Sequence, residues 1–451
     1  MQTNRALLVD LYELTMGAAY FEHRVACRAT FELFVRHLPP ERSYLVAAGL
    51  DAALAYLEGL HFTDDDIAFL RAQPAFRTVS AGFFDYLAGF RFHGDVRAVA
   101  EGTVVFAEEP LLQVTAPVLE AQIAETYLLA VIHFETLVAS KAARVVDAAG
   151  GRSVLEFGTR RAHGPEAGVR AARAACVGGC AATSNVLAGK LYRLPLAGTA
   201  AHSWTQVFPS ERGSFEALLD TFPDSAILLV DTYNPLAGAE IAATLGRKVP
   251  GVRLDSGDLL EKSRQVRRIL DQHGCRETKI VASGDLNEFK IAELVAGGAP
   301  IDAFGVGTDL ATSRDLPALS VVYKLVETER EGVVEPKTKF SEEKVYWPGR
   351  KQVFRFSAGG EYHHDLLAGA GESYPEATAL LQPAMRAGRR LAPSPPVMEL
   401  RARTLDGLAR LPRAFHSLRD APAYPVEKSA ALERLLDDVR AQHFGAVRTA
   451  K

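Results

Sequence analysis

The sequence predicts an α/β protein: an irregular parallel β/α barrel, TIM-like in kind, with a second α+β domain built mainly from the N-terminal part and joined by C-terminal segments. Three observations predict it. After Gly150-Gly151, six short apolar runs end in Gly, Asp, Ser or Thr, and a helical segment follows each. Asp231, Asp255 and Asp285, at the ends of three runs, lie 24 and then 30 residues apart, the length of a strand, a helix and two loops. Ahead of this region, residues 95–118 break into β-rich pieces punctuated by Pro110 and Pro117, which suggests a small antiparallel sheet.

Taken in order, Leu7 to Tyr20 carries apolar residues at helical spacing, Ala29 to Phe34 reads as extended, and Leu50 to Leu57 as helix. Glu120 to Ala149 is Ala-rich and reads as one long helix. The six runs are Val154 to Phe157, Leu194 to Ala197, Ile227 to Val230, Gly251 to Leu254, Lys279 to Ala282 and Ile301 to Phe304. Repeated β/α units imply a parallel sheet, because a crossover helix is the simple return to a parallel strand. Six without a halfway break favour closure into a barrel from Gly150 to about Val326, its active site at the strand ends where the polar residues sit. Lys337 to Phe354 reads as a basic loop and strand, Leu391 to Val397 as a Pro-rich connection, and Ala430 to Gln442 as an amphipathic helix. The expected domains are 1–119, N-terminal α+β; 120–336, the barrel; and 337–451, a basic loop and helical region packing on both.

Composition narrows the function. Of 451 residues, 48% are hydrophobic and 24% charged, and the net charge of −4 shows no basic excess for a nucleic-acid or acidic-membrane partner. The start lacks a charged region followed by a long apolar run, and no stretch reaches the roughly 18–20 apolar residues of a spanning helix. A soluble, cytoplasmic protein is expected. Cys27, Cys176, Cys180 and Cys275 lack the second pair or neighbouring histidine of a zinc set, so reduced cysteines are expected.

Five segments carry polar residues at strand ends. Glu156-Phe157-Gly158-Thr159-Arg160-Arg161 sets adjacent arginines after a buried run, suited to a carboxylate or phosphate, or to a structural ion pair with Glu156. Residues 196–204 put His202 and Ser203 behind small residues; a histidine there can act as base, acid or phosphoryl acceptor, or be structural. Strand alternation puts Arg253 and Asp255 on one face, a pair suited to a ribose or a pyridine ring, with Ser256 next and Asp258 free to reach a metal or to cap a helix. Ser283-Gly284-Asp285 and Gly305-Val306-Gly307-Thr308 expose backbone N–H groups before helices and read as phosphate cradles. The run Lys337, Lys339, Lys344, Arg350, Lys351 and Arg355 reads either as a solvated loop or as a mobile cover for pyrophosphate.

Together these segments resemble the nicotinate phosphoribosyltransferases, which share a fold type with nicotinamide and quinolinate phosphoribosyltransferases. The resemblance begins at Asp10-Leu11-Tyr12-Glu13-Leu14-Thr15-Met16 and continues through Phe31-Glu32-Leu33-Phe34, residues 156–164 and Thr183-Ser184-Asn185. It runs on through His202, residues 253–258, 283–285 and 304–310, to Lys351-Gln352-Val353, in consistent order over about three-quarters of the chain. The sequence departs from the family at Val9, Ala200, Tyr346, Trp347 and Cys180-Ala181-Ala182.

The resemblance implies an enzyme of NAD salvage that makes nicotinate mononucleotide and pyrophosphate from nicotinate and phosphoribosyl pyrophosphate. ATP as co-substrate phosphorylates His202, and Mg²⁺ accompanies the phosphates, with no metal ligand assigned. Tyr12, from a second subunit, and Phe157 sandwich the pyridine ring, which implies a homodimer with shared active sites. Arg160, Arg253 and Asp255 surround the base and the phosphoribosyl group, and Gly284, Gly305 and Gly307 lie in the loops that hold the phosphate. Thr183, Ser184, Ser203, Ser256, Asp285, Thr308 and Lys351 complete the expected substrate contacts. Nicotinamide-using relatives carry aspartate where Ser184 stands, which argues for the acid over the amide, unless Ser184 is only a helix cap. The alternatives are a quinolinate or nicotinamide phosphoribosyltransferase, or a catalytically silent sensor of phosphoribosyl ligands.

Overall fold

The computed structural model describes residues 5–341 and 345–445, and the chain divides into two units. One takes residues 1–136, 318–395 and 406–451; the other takes 137–317 and 396–405.

The first unit is built on a seven-stranded antiparallel sheet in the order Val333–Pro336, Val321–Arg330, Arg28–Val35, Pro110–Pro117, Asp95–Val99, Leu381–Arg386, Arg389–Arg390. It is larger than the small sheet expected, because four of its strands come from residues 321–336 and 381–390, remote in sequence. Arg28–Val35 pairs on both sides and is buried almost throughout, as its apolar run requires. Its one buried carboxylate, Glu32, is met by Lys351 Nζ at 2.8 Å and by the Gln113 side-chain amide at 2.7 Å. Burial raises the Glu32 carboxyl, and Lys351 only partly opposes this. A four-stranded sheet of Thr378–Ala379, Lys351–Ala358, Glu361–Gly369 and Val426–Lys428 follows, crossed by the buried Arg355–Asp365 pair. The first helix, Leu11–Glu22, starts four residues later than its apolar pattern.

In the second unit six parallel strands form one sheet: β1 (Ser153–Glu156), β2 (Ala182–Thr183), β3 (Ile227–Leu229), β4 (Gly251–Leu254), β5 (Lys279–Ala282) and β6 (Ala303–Val306). Their order is β2-β1-β6-β5-β4-β3. The helices are α1 (Glu125–Ala148, whose later residues lie in this unit), α2 (Pro165–Val177), α3 (Val186–Tyr192), α4 (His202–Val207), α5 (Glu211–Thr221), α6 (Pro235–Ala243), α7 (Leu259–Gln272), α8 (Glu288–Ala296) and α9 (Thr308–Thr312). The expected closed barrel does not form. The run at Leu194 to Ala197 supplies only one bridge, Leu196 to Thr183, and no ladder joins that edge to β3 among the described residues. A TIM barrel needs eight strands, and Pro195 has no N–H to extend the pairing. Among the described residues no helix is long and apolar enough to cross a membrane.

Candidate active site

The strand ends of the second unit gather most of the predicted residues. Arg253, near the end of β4, is the hub. Its Nε donates to Ser283 Oγ at 2.7 Å, Nη1 to Thr199 Oγ1 at 2.5 Å, and Nη2 to Asp255 Oδ1 at 2.6 Å. One guanidinium therefore ties together β4, the loop after β5 and the loop that leads into α4, which is the use its rigid fork suits. Ser283 Oγ also donates to Asp255 Oδ1 at 2.6 Å. Burial by itself would raise the Asp255 carboxyl, but the Ser283 hydrogen bond and the charge of Arg253 outweigh it and hold the group below its ordinary value. Asp255 is thus a preorganised, ionised acceptor.

His202 opens α4. Its Nδ1 lies 3.2 Å from Thr232 Oγ1, and its Nε2 stands 3.7 Å from Asp255 Oδ2. The ring is half-buried, with a side-chain exposure of 42%, so a ligand can reach it. Neighbouring Ser203 and Ser256 are exposed. Asp231, at the end of β3, accepts from the Asp255 N–H at 2.7 Å and from Ser256 Oγ at 3.3 Å. Its other oxygen, Oδ1, is buried and has no hydrogen-bond partner among the described residues. Asp258 caps α7 by accepting from the Glu261 N–H at 3.0 Å, so capping is the role its geometry shows.

At β1, Glu156 is fully buried, and burial raises its carboxyl. It accepts from the Gly158 N–H and, at 2.5 Å, from Thr183 Oγ1. It is not paired with arginine: Arg160 and Arg161 lie exposed in the short 3-10 turn Thr159–Arg161 and form no ion pair among the described residues. Thr183 is therefore buried and structural in its contacts, also accepting from the Asn185 N–H at 3.0 Å. The cap of α3 is Asn185, accepting from the Ala188 N–H at 2.8 Å. That leaves Ser184 exposed, with its hydroxyl unpartnered among the described residues.

The glycines answer to close approach. At Gly284, φ is +102° and a Cβ would stand 1.9 Å from the Asp255 carbonyl oxygen, so only glycine lets these two loops meet. Asp285 follows with φ of 48°, and Lys290 Nζ donates to its carbonyl at 2.8 Å, bringing a cation to this loop. At Gly305 a Cβ would lie 2.5 Å from the Phe157 ring. This glycine is explained by the aromatic ring laid over it, and Gly307 by the Phe157 carbonyl at 3.2 Å from its Cβ position. Thr308 begins α9, which at five residues adds little helix dipole to the cradle.

Two predicted positions belong to the first unit. Tyr12 is on the first turn of Leu11–Glu22 and 46% exposed. Lys351 is buried, and its ammonium is engaged by Glu32, the Trp347 carbonyl at 2.7 Å and the Gly349 carbonyl at 2.6 Å, which leaves no hydrogen for a ligand. Lys337, Arg350 and Arg355 of the basic run are likewise paired, with Glu335, Glu327 and Asp365. Lys344 lies outside the described residues. Sequence reasoning did not place Thr199, Thr232, Ser283 or Lys290 individually, and used Asp231 only for its spacing. That spacing was the signal that could have found Asp231.

Comparison with known proteins places the chain in a family. Residues 7–133 match the nicotinate phosphoribosyltransferase N-terminal domain, and residues 153–344 match the nicotinate phosphoribosyltransferase family. The chain is 46% identical to nicotinate phosphoribosyltransferase pncB2 of Mycobacterium tuberculosis, over 94% of this chain and 91% of that one. It is 42% identical to the nicotinate phosphoribosyltransferase of Bacillus subtilis, over 80% and 75%. The crystal structure of human nicotinic acid phosphoribosyltransferase superposes with a TM-score of 0.81 at 29% identity, covering 95% of this chain and 99% of that one.

Proposed function

The chain belongs to the nicotinate phosphoribosyltransferase family and is an enzyme of NAD salvage that joins nicotinate to a phosphoribosyl group, and we propose that ATP drives this reaction through a phosphoryl group carried on His202. The observation that carries the proposal is the histidine's setting. Thr232 holds Nδ1, while Nε2 faces the Asp255–Arg253 pair without reaching hydrogen-bond distance. Nε2 is then the nitrogen left to accept: a P–N bond forms there as the bond from the γ-phosphorus to the β,γ-bridging oxygen breaks, and ADP leaves. Water later takes the phosphoryl group off as phosphate.

In the transfer itself, the ring nitrogen of nicotinate attacks C1 of the ribose as pyrophosphate departs. Asp255, held ionised, accepts hydrogens from the ribose hydroxyls, and Arg253 keeps it in place. Phe157 supplies one face for the pyridine ring, and Tyr12 of a second copy supplies the other in a homodimer. Arg160, exposed and unpaired among the described residues, and Ser184 meet the carboxylate. Gly284, Asp285, Gly307 and Thr308 offer backbone N–H groups to the 5′-phosphate, while Gly305, inside β6, makes room for the Phe157 ring, with Ser203 and Ser256 at the edge of the same mouth.

Magnesium fits this residue set as an ion carried by the phosphates. No group of three histidine, cysteine or acidic side chains among the described residues could hold it unaided, whereas Mg²⁺ at such sites usually keeps waters and one or two carboxylates besides phosphate. Asp231, with Oδ1 buried and unpartnered, is the protein oxygen available to it or to its water. When bound, it neutralises charge growing on the leaving pyrophosphate.

Two measurements check this reading. His202→Asn is expected to abolish stimulation by ATP yet leave slow phosphoribosyl transfer, seen as one rate with and without ATP; loss of both activities in equal measure contradicts the division of labour. Ser184→Asp places a carboxylate against the substrate's own. It is expected to raise KM for nicotinate about tenfold, as like-charge juxtaposition at a partly wet site would, while KM for nicotinamide falls or holds. An equal change for acid and amide contradicts the assignment of Ser184.

A further inference from the structure

Beneath the loops assigned to the phosphate lies a charge cluster that the chemistry above does not use. Lys141, on α1, is 1% exposed in its side chain, and its Nζ sits 2.5 Å from Glu288 Oε2 and 2.7 Å from Asp315 Oδ1. Arg144, one turn further along α1, brings Nε to 3.2 Å from Glu288 Oε1. Glu288 is wholly buried and is the first residue of α8, three residues beyond Asp285. Asp315, 28% exposed, follows α9, three residues beyond its end at Thr312. One ammonium group thus joins the chain just after the Gly284-Asp285 loop to the chain just after the Gly305–Thr308 segment.

Burying an ion pair of this kind adds little stability over an apolar replacement of the same volume, because desolvation offsets most of the attraction. Its consequence is geometric: each carboxylate has its place fixed by the same nitrogen, so the two loops keep a set separation. We infer that Lys141 is a positioning residue for the phosphoribosyl donor, holding the two phosphate-facing loops in register through Glu288 and Asp315. This rests on the reading that those loops hold the 5′-phosphate. Lys141 touches no substrate; it acts on the spacing of backbone N–H groups that do.

The test is steady-state kinetics on the full-length enzyme with phosphoribosyl pyrophosphate and nicotinate varied separately, for the parent, Lys141→Met, Asp315→Asn and Asp315→Glu. Asp315→Asn, at a partly exposed position, removes the charge from one link, although its amide oxygen can still accept, and leaves the Lys141–Glu288 pair in place. KM for phosphoribosyl pyrophosphate is expected to rise about tenfold in Asp315→Asn and further in Lys141→Met, since a loop misplaced by about 1 Å can cost up to about a hundredfold. KM for nicotinate should stay within about twofold, and Asp315→Glu, which keeps the charge but sets it one methylene further out, should recover only part of the parent's value. A merely structural role would lower the active fraction and Tm while leaving both KM values alone, and that result overturns the inference. If Lys141→Met does not fold, the Asp315 pair decides alone: the donor KM must rise with Asn and lie closer to the parent's with Glu than with Asn, and failure of either contradicts the proposal. A parent enzyme that does not use the donor at all overturns the reading of the loops, and the proposal with it.

Discussion

Replacing Arg253 with methionine is expected to lower kcat/KM by about 10²–10³-fold, in the range of losing about 3–4 kcal/mol of preorganised electrostatic stabilisation. The reason lies in the number of elements one guanidinium joins. It bonds to Ser283, Thr199 and Asp255 at 2.5–2.7 Å. Without it the Asp255 carboxylate loses one of the two contributions, the other being the Ser283 hydrogen bond, that together outweigh its burial, and Thr199, three residues before His202, loses its anchor. Arg253→Lys should recover little, because an ammonium on a flexible stem cannot span three partners in a plane. Kinetics of both variants check this; a lysine variant within about threefold of the parent would show that charge alone matters at this position.

Gly284→Ala is expected to cost at least as much activity and to lower stability. A Cβ at this site would stand 1.9 Å from the Asp255 carbonyl oxygen, which is backbone and cannot rotate away, and the φ of +102° is itself strained for alanine. Relief requires moving the Asp255 loop away from the loop after β5. That breaks the Ser283–Asp255 contact of 2.6 Å, so activity should fall by about a hundredfold or more. Gly59→Ala is the control, because its Cβ meets nothing within 4 Å and φ is not positive. Its stability should stay within about 0.5 kcal/mol of the parent. Thermal unfolding and kcat/KM on the two variants give the comparison, and a Gly284→Ala enzyme with parental activity would contradict the close approach of the two loops.

The repeating β/α units were legible because each strand is a short apolar run closed by a polar residue, and β1, β3, β4 and β5 fall where those runs lie. Two features escaped for physical reasons. The strand Ala182–Thr183 is two residues long, too short to show a period, and the 194–197 run looked like a strand although Pro195 limits it to a bridge. The breadth of the antiparallel sheet was hidden because pairing between Arg28–Val35 and Val321–Arg330 depends on contacts nearly three hundred residues apart, which local pattern does not record.

At the site, strand alternation alone put Arg253 and Asp255 on one face, and there the structure bonds them to each other, a contact the alternation did not predict. The roles of glycines were harder to read. Gly-x-Gly before a helix suggests an anion site, yet Gly305 is small because the Phe157 ring lies on it, a contact between distant segments. Basic residues misled in the same way. Lys351 and Arg355 read in sequence as part of a solvated loop or of a mobile pyrophosphate cover, but Glu32 and Asp365, buried and remote in the chain, claim them.

The most direct test of ATP-driven, nicotinate-selective transfer is product formation from phosphoribosyl pyrophosphate with nicotinate, nicotinamide or quinolinate, each with and without ATP. Turnover of nicotinate in preference to the other two, accelerated by ATP, is the predicted result. Turnover that ignores ATP would contradict the role given to His202, and binding of phosphoribosyl pyrophosphate without turnover of any of the three would contradict the catalytic reading itself.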